Sequence, residues 1–346
     1  MAEDRNIGYE DNPMFNVDFD GSNQQVKIGN LTFSSSSVVY NMDYDAYIAE
    51  LNAFNQREVE KLRETIYYEF PLPIAFYFHQ SENAYNNNNH RLQLLRSTWE
   101  AIIFTLYAIV VGESRHLNIP LRNIAQQNAA GNPDISFNDY FSDRLSQKLL
   151  IVERILVYNQ VNNCGLTCAN VVSIPVIQKI RNLNQERNEF MHVAAFSEEQ
   201  AATSYTTIFP DVFDILKDLK GLEFVDVMHF IQTTDAVTNI RFEIFNGHGL
   251  ARNIKTITIS AAQLGQIGNQ LNGNNILVKH QNEIFSITPF LHCHSEANGN
   301  STNLCYFKRK AANAKYEYEI VSRSEAIEFD RTLFDDRTNE LRALII

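Results

Sequence analysis

One short run in this sequence, RNEFMH at positions 187–192, combines residue types that can cleave RNA. Arg187 is a permanent cation whose planar fork of N–H donors matches a phosphate group. His192 belongs to the residue type whose ordinary pKa lies nearest neutrality, so it can exchange a proton at cellular pH. Asn188 adds a neutral donor and acceptor. Metal-independent RNA cleavage needs such a phosphate-binding cation beside a proton-transfer group, because the ribose 2′-hydroxyl must lose a proton as it attacks phosphorus.

Helix geometry indicates how these residues could meet in one site. On an α-helix a five-residue step turns by about 140°, so Arg187 and His192 flank one face and do not stack. A twofold axis presents the same surface patch twice, so two copies of the chain would bring both pairs to one cleft. We therefore predict a homodimer with a composite site. Lys179, Arg181 and Asn184, upstream on the same predicted helix, are expected to extend the cleft as a cationic and polar groove.

A structural interpretation of the same run stays open. Cations near the C-terminus of a helix are favoured simply because they complement the helix dipole. An arginine and a histidine five residues apart also occur by chance in many helices. The spacing alone does not separate the catalytic interpretation from the structural one.

The elements that position this run are predicted from apolar residues at steps of three and four, with capping and turn residues at their ends. The predicted helices cover 43–70, 90–111 with Gly112 as C-cap, 139–162 with Gly165 as breaker, 175–192, and 197–221. Pro71 and Pro73 are expected to end the first helix. Residues 81–89, which contain four consecutive asparagines, are predicted to be a flexible connector.

From Glu223 onward the apolar period changes from 3.6 to 2, which indicates strands. The predicted strands cover 224–231, 240–245, 254–259, 276–287, 304–307 and 316–321, and alternation over 15–28 predicts a small hairpin. The fold class is therefore α+β. We predict an N-terminal hairpin and helix extension over 1–89, a helical bundle over 90–221, and a smaller sheet-rich α+β accessory domain over 222–346.

The run Arg187-Asn188-x-x-x-His192 ends the third helix of a predicted four-helix bundle, before a short link and a closing helix. In this it resembles the HEPN superfamily, whose signature is an arginine, four to six residues, and then a histidine. A polar residue commonly follows the arginine, and Asn188 fits that preference. The resemblance covers about residues 90–220. It implies a HEPN-like four-helix bundle and a dimeric, metal-independent endoribonuclease that acts on RNA in toxin or antiphage-defence biology.

The resemblance also implies roles for the matching positions. His192 would act as general acid/base or position the attacking 2′-hydroxyl, Arg187 would hold the scissile phosphate, and Asn188 would orient one of the two. Where many HEPN toxins carry a modifiable tyrosine two residues after the histidine, this chain has Ala194. A partner antitoxin that acts by that modification is therefore not expected, although an antitoxin or defence-system partner of another kind stays open.

A further acidic or polar residue on a preceding helix often accompanies the HEPN pair. The sequence offers Glu100 and Glu153 and does not choose between them. Each of them can also be interpreted as an ordinary solvated or salt-bridged side chain.

The composition and the absence of several motifs exclude other functional classes of protein. Asp and Glu outnumber Lys and Arg by 41 to 29, a formal charge of −12, which excludes a broadly basic nucleic-acid coat. The sequence has no phosphate-binding glycine loop, dinucleotide fingerprint, G-x-S-x-G elbow or H-E-x-x-H pair. The four cysteines form no paired knuckle, and His292 and His294 alternate with Cys293 as on a strand. We expect no cofactor, no metal, no membrane span and a cytoplasmic location.

The alternative function is a non-catalytic one: a HEPN-type scaffold that binds RNA or nucleotides, or regulates a partner. Arg187 and His192 would then hold phosphate without chemistry. In a third interpretation both residues only support a dimer face. The part beyond residue 222 could sense, target or hold RNA.

Overall fold

The computed structural model describes residues 15–20, 23–28, 31–34, 44–125, 134–191, 196–234, 238–295, 302–323 and 325–346. It describes the side chains of these residues except at positions 15–47, 50 and 184–191. By compactness the chain divides into residues 1–58 and residues 59–346. The boundaries predicted at 89/90 and 221/222 stay predictions.

Residues 15–34 form a small antiparallel sheet. Its strands are β1 (Phe15–Asp20), β2 (Asn23–Ile28) and β3 (Leu31–Ser34), with β2 in the centre. Asp20 pairs with Asn23 across the first turn, so the predicted hairpin is confirmed and gains a third strand.

The helices occupy most of the chain between residues 44 and 218. They are α1 (Tyr44–Glu69), α2 (Leu72–Asn83), α3 (Asn88–His116), α4 (Leu121–Ala125), α5 (Leu145–Asn162), α6 (Ile174–Met191) and α7 (Glu198–Asp218), with α8 (Ala261–Ile267) and α9 (Asp335–Ile345) further on. Pro73 does not prevent a helix, since it lies in the first turn of α2, where proline is tolerated.

Two antiparallel sheets follow. Their strands are β4 (Val225–Thr233), β5 (Asn239–Ile244), β6 (Asn253–Thr258), β7 (Ile276–His280), β8 (Glu283–Ser286), β9 (Leu291–Ser295), β10 (Thr302–Lys310), β11 (Lys315–Ile320) and β12 (Glu325–Asp330). The strand orders are β6-β5-β4-β7-β8 and β12-β11-β10-β9. The mixed α+β class, helical first and sheet-rich later, is confirmed.

Helix α3 is the central element of the helical part. It contacts α2, α5 and α7 and also strand β8 and helix α9. Among the described residues it alone is long and apolar enough to cross a membrane, with a mean hydropathy of 1.5 over 18 residues. Because 83% of that window is buried inside the protein, α3 has the character of the core helix of a soluble protein.

Helices α3, α5, α6 and α7 form a closed ring of contacts. Helix α6 contacts α5 and α7, and both of these contact α3. One apolar core joins this ring to the sheets, since Ile103 of α3, Leu156 of α5, Phe285 of β8 and Tyr318 of β11 belong to the same buried cluster.

The end predicted for the second helix at Gly112 is wrong. Helix α3 continues to His116, and Gly112 lies inside it. A Cβ atom at position 112 would lie 2.8 Å from Cγ2 of Ile287 and 2.9 Å from the carbonyl oxygen of Ser286. Glycine is needed there because the end of β8 approaches the helix backbone closely, and not because the helix stops.

We expect Gly112→Ala to lower the free energy of unfolding by about 1–3 kcal/mol, since the new methyl group must displace backbone. Urea denaturation measures the change. Gly265→Ala in α8 is the matched control, since nothing lies within 4 Å of its Cβ position. That variant should gain up to about 1 kcal/mol from helix propensity. Equal effects of the two substitutions would contradict the close approach.

The sequence predicts that the third helix begins at residue 139, but the helix begins later. Residues Phe137–Phe141 form a 3₁₀ turn, and α5 starts at Leu145. The chain breaks between them because Lys148 turns back to donate a hydrogen bond from Nζ to the carbonyl oxygen of Ser142 at 2.7 Å. Its amine also lies 5.1 Å from the ring centre of Phe104 and 4.7 Å from that of Tyr107.

Burial lowers the pKa of Lys148 to about 7; the nearby Asp143 opposes this shift and Lys308 adds to it. The folded protein therefore holds Lys148 neutral above pH 7, whereas the unfolded chain keeps it protonated up to its ordinary pKa of 10.5. Unfolding then takes up a proton in this window, so stability rises with pH.

Lys148→Met tests this assignment. The free energy of unfolding of the wild type should rise between pH 7 and 9 by up to about 1.4 kcal/mol per pH unit. The Lys148→Met protein should lack that part of the slope, because methionine fills the same space without a titratable group. Identical slopes in the two proteins would show that the amine is not neutralised by burial.

Candidate functional site

Helix α6 carries the predicted site at its C-terminal end. The buried face of α6 is formed by Val176, Ile177, Ile180 and Leu183, which pack into the ring of helices. Pro175 lies in its first turn, as the sequence predicts. The helix continues to Met191, so the backbone at positions 187 and 188 is helical, as expected.

Helical periodicity places the two positions on α6. Position 187 comes seven residues after Ile180 and four after Leu183, so it continues the buried face of the helix. Position 188 comes seven residues after Arg181 and falls in the row that faces α5. The side chains of Arg187 and Asn188, and His192 altogether, lie outside the described residues. Their assignment as a site stays a prediction.

The cationic groove expected upstream is wrong for two of its three residues. Nζ of Lys179 lies 2.6 Å from a carboxylate oxygen of Asp214 and 2.5 Å from one of Asp218, both on α7. Arg181 pairs with Glu153 of α5 at 2.5 Å. Because both cations are neutralised by neighbours, they do not present free charge to RNA. Asn184 belongs to the residues whose side chains are not described.

The two acidic candidates are engaged in ion pairs. Glu153 binds Arg181, as above, and Glu100 accepts a hydrogen bond from Nε of Arg96 at 3.1 Å. Nζ of Lys308 lies 4.0 Å from the same carboxylate and 2.8 Å from Glu319. The salt-bridged interpretation of Glu100 and Glu153 is therefore confirmed.

The segment over residues 81–89, predicted to be a flexible connector, is instead held by hydrogen bonds to the start of α7. Asn87 caps α3 by accepting a hydrogen bond from the backbone N–H of His90. The Glu198 carboxylate, at the start of α7, accepts from the backbone N–H groups of Asn88 at 2.8 Å and Asn89 at 3.4 Å, and from Nδ2 of Asn89 at 2.9 Å. The same Nδ2 atom donates to the carbonyl oxygen of Phe196 at 3.0 Å.

This latch, defined as Asn88, Asn89, Phe196 and Glu198, matters for the candidate site. It fixes the chain four residues after His192 to the start of α3. The link between α6 and α7 is thus held at both of its described ends, by helix α6 and by Asn89. The sequence signal was present but ambiguous, because an asparagine run is typical both of loops and of helix caps.

Three further histidines among the described residues lie in structural contacts. His79 stacks on His248 with ring centres 3.8 Å apart, and Nδ1 of His90 accepts a hydrogen bond from the backbone N–H of Asn86. His292 lies on β9, as its alternation with Cys293 predicts, but it is buried against Phe329. Among the described residues no three His, Cys, Asp or Glu side chains are grouped to hold a metal ion.

Comparison with protein-family models, with curated proteins and with solved structures finds no match to this chain.

Glu198→Ala should loosen the latch. The backbone N–H of Asn88, followed by the amide of Asn89, holds the pKa of Glu198 below its ordinary value. The interaction is therefore present above about pH 4.5 and is lost as the pH falls below it. At pH 7 we expect faster hydrogen exchange at the amides of residues 88 and 89 and a lower melting temperature. Glu199→Ala is the control and should change neither. Unchanged exchange in Glu198→Ala would contradict the latch.

Proposed function

We propose that this chain is a metal-independent endoribonuclease of HEPN type, in toxin or antiphage-defence biology, with a composite site in a homodimer. The observation that carries the proposal is the run Arg187-Asn188-x-x-x-His192 at the C-terminal end of α6. The contacts that join α3, α5, α6 and α7 into a ring support it, because the resemblance implies a run near the end of a helix that packs among neighbouring helices.

The proposed reaction is a transesterification within the RNA strand, in which the scissile phosphate is transferred from the 5′-oxygen to the 2′-oxygen. His192 takes the proton of the ribose 2′-hydroxyl, and the 2′-oxygen attacks the adjacent phosphorus. Arg187 binds the non-bridging oxygens and stabilises the charge that develops on them. The bond from phosphorus to the 5′-oxygen breaks, and that oxygen takes a proton from the second copy's imidazole. The products are a 2′,3′-cyclic phosphate and a free 5′-hydroxyl.

The position of residue 187 gives this role a physical basis. By helical periodicity it falls in line with Ile180 and Leu183, and the planar guanidinium of an arginine matches a phosphate bidentately. A phosphate group brought by the substrate would be the partner of that guanidinium. The neutralisation of Lys179 and Arg181 leaves α6 without other described free cations, so recognition depends on few phosphate contacts.

The latch supports the placement of His192. A catalytic group must be held close to its productive geometry, and sites on loops are less precise than sites on helices. The link that carries His192 is short, and the carbonyl group of Phe196 at its end is fixed by Asn89. The proposed general acid/base role would draw on this fixed end of the link.

Variants of the run test the function. With a labelled single-stranded RNA in EDTA, His192→Ala should lower the cleavage rate by about 10²–10⁴. Arg187→Ala should lower it by a comparable factor, because charge stabilisation is lost. Arg181→Ala is the matched control: it removes an arginine from the same helix, but one already paired with Glu153, and it should keep most of the activity.

The outcomes distinguish the nuclease from its alternative. Full cleavage by His192→Ala protein would overturn the catalytic assignment. RNA binding that needs Arg187 without any cleavage by the wild type would favour the scaffold. Sedimentation of the wild type reports the predicted dimer separately.

A further inference from the structure

A cavity of about 240 Å³ lies between the two C-terminal sheets, away from helix α6. It opens where the start of α2, the end of β5, the start of β10 and the turn between β11 and β12 come together. Its apolar walls are Leu72, Ile244, Phe245, Leu250, Leu304 and Val321. Leu250 is exposed over 57% of its surface although it is a large apolar residue at this opening.

One charged group on the wall of this cavity is almost completely buried. Glu243, on β5, has only 2% of its side chain exposed. Arg252 donates to it from Nε to one carboxylate oxygen at 3.0 Å and from Nη2 to the other at 3.2 Å, and a second cation, Arg323, lines the same cavity. The Arg252 side chain is 42% exposed, so the buried carboxylate faces a cation that can move into solvent.

The geometry of this ion pair defines what else the carboxylate can bind. Two oxygens that accept two parallel N–H groups form a fork-to-fork contact, which only a planar ligand with two adjacent donors reproduces. Guanine contains the same guanidine arrangement as arginine, with the N1–H and one N–H of the 2-amino group side by side. Adenine presents no such pair, and hypoxanthine lacks the 2-amino group.

The size and lining of the cavity agree with a single base. Its volume is below the range of about 300–1,000 Å³ found for drug-sized ligands. Phe245, Leu250 and Leu304 supply apolar surface for the faces of a flat ring, while Glu243 supplies the buried acceptors. Unstacked bases are recognised in RNA by this combination of apolar contact and hydrogen bonds to the Watson–Crick edge.

We propose that this cavity binds a guanine base, whose N1–H and 2-amino N–H replace the Arg252 fork on the Glu243 carboxylate. Arg252 then turns into solvent or toward the phosphate of the same nucleotide. The base could belong to a free guanine nucleotide or to single-stranded RNA; the second source rests on the proposed function, and the binding of the base itself does not.

Calorimetry with the full chain and three nucleotides tests the proposal. GMP should bind, IMP should bind about ten-fold or more weakly because one hydrogen bond to a charged group is lost, and AMP should not bind measurably. Equal binding of GMP and IMP, or no binding of GMP, would overturn it. A single-stranded oligonucleotide with one guanine, compared with the same strand carrying inosine, separates RNA from free nucleotide as the source.

Two variants test the exchange of partners. Glu243→Gln keeps the size of the side chain but cannot accept two N–H groups, so GMP binding should be lost while the melting curve shows a folded protein. Arg252→Ala removes the competing fork, so GMP should bind more tightly; weaker binding would contradict the exchange. Glu317→Gln, which removes the exposed carboxylate bound by Nε and Nη2 of Arg309, is the control and should bind GMP normally.

The proposal can fail independently of the nuclease. His192→Ala protein should bind GMP as the wild type does. If the protein cleaves RNA but does not bind GMP, only the guanine-site proposal is overturned. If the protein binds GMP but never cleaves RNA, the guanine-site proposal is supported and the nuclease proposal is overturned.

Discussion

The burial of helix α3 over residues 101–115 is the constraint on which the rest of this structure depends. A helix that is apolar on all sides must be covered on all sides, because each exposed apolar face would forfeit hydrophobic free energy. Helices α2, α5 and α7 cover it from the helical part, and β8 and α9 cover it from the sheet-rich part. The helical part and the sheet-rich part are therefore held together because both pack against this one helix. The close passage of β8 at Gly112 is the tightest point of that cover.

The polar groups carried into the core by α3 strengthen this join. Arg115 is 6% exposed and donates to the carbonyl oxygens of Ser286 and Thr288, next to the end of β8. Glu113 is fully buried and accepts from the backbone N–H groups of Thr167 and Cys168 and from the Thr167 hydroxyl. A buried charge is tolerated only with such partners. These contacts specify how α3 lies against the strands and against the turn at residues 167–170 that precedes α6, where apolar packing alone would allow sliding.

What the sequence could predict follows from the same physics. Periodicity found α1, α5, α6, α7 and most of the C-terminal strands, since each has one apolar face. It misjudged Gly112, because a glycine at a close approach and a glycine at a helix end look alike until the neighbouring strand is known. It missed α2, where Pro71 and Pro73 suggested a stop. For the site, a local motif could be read from Arg187 to His192, but the Glu243–Arg252 pair could not, because neither residue stands out and only the cavity between two sheets gives the pair its meaning.

Charge compensation connects the two proposed sites. With a formal charge of −12 the protein cannot gather RNA by general attraction, and the described cations near α6 are already paired. For the proposed nuclease we therefore expect weak salt-dependent, sequence-independent binding, since such binding grows with the number of phosphates neutralised. Under the two proposals, selection of an RNA would depend on few groups: Arg187 of α6, proposed to bind a phosphate, and the Glu243 carboxylate, proposed to accept a fork of N–H donors. At the proposed guanine site the Glu243–Arg252 ion pair would then act as an internal competitor, since the base must replace Arg252 on the carboxylate.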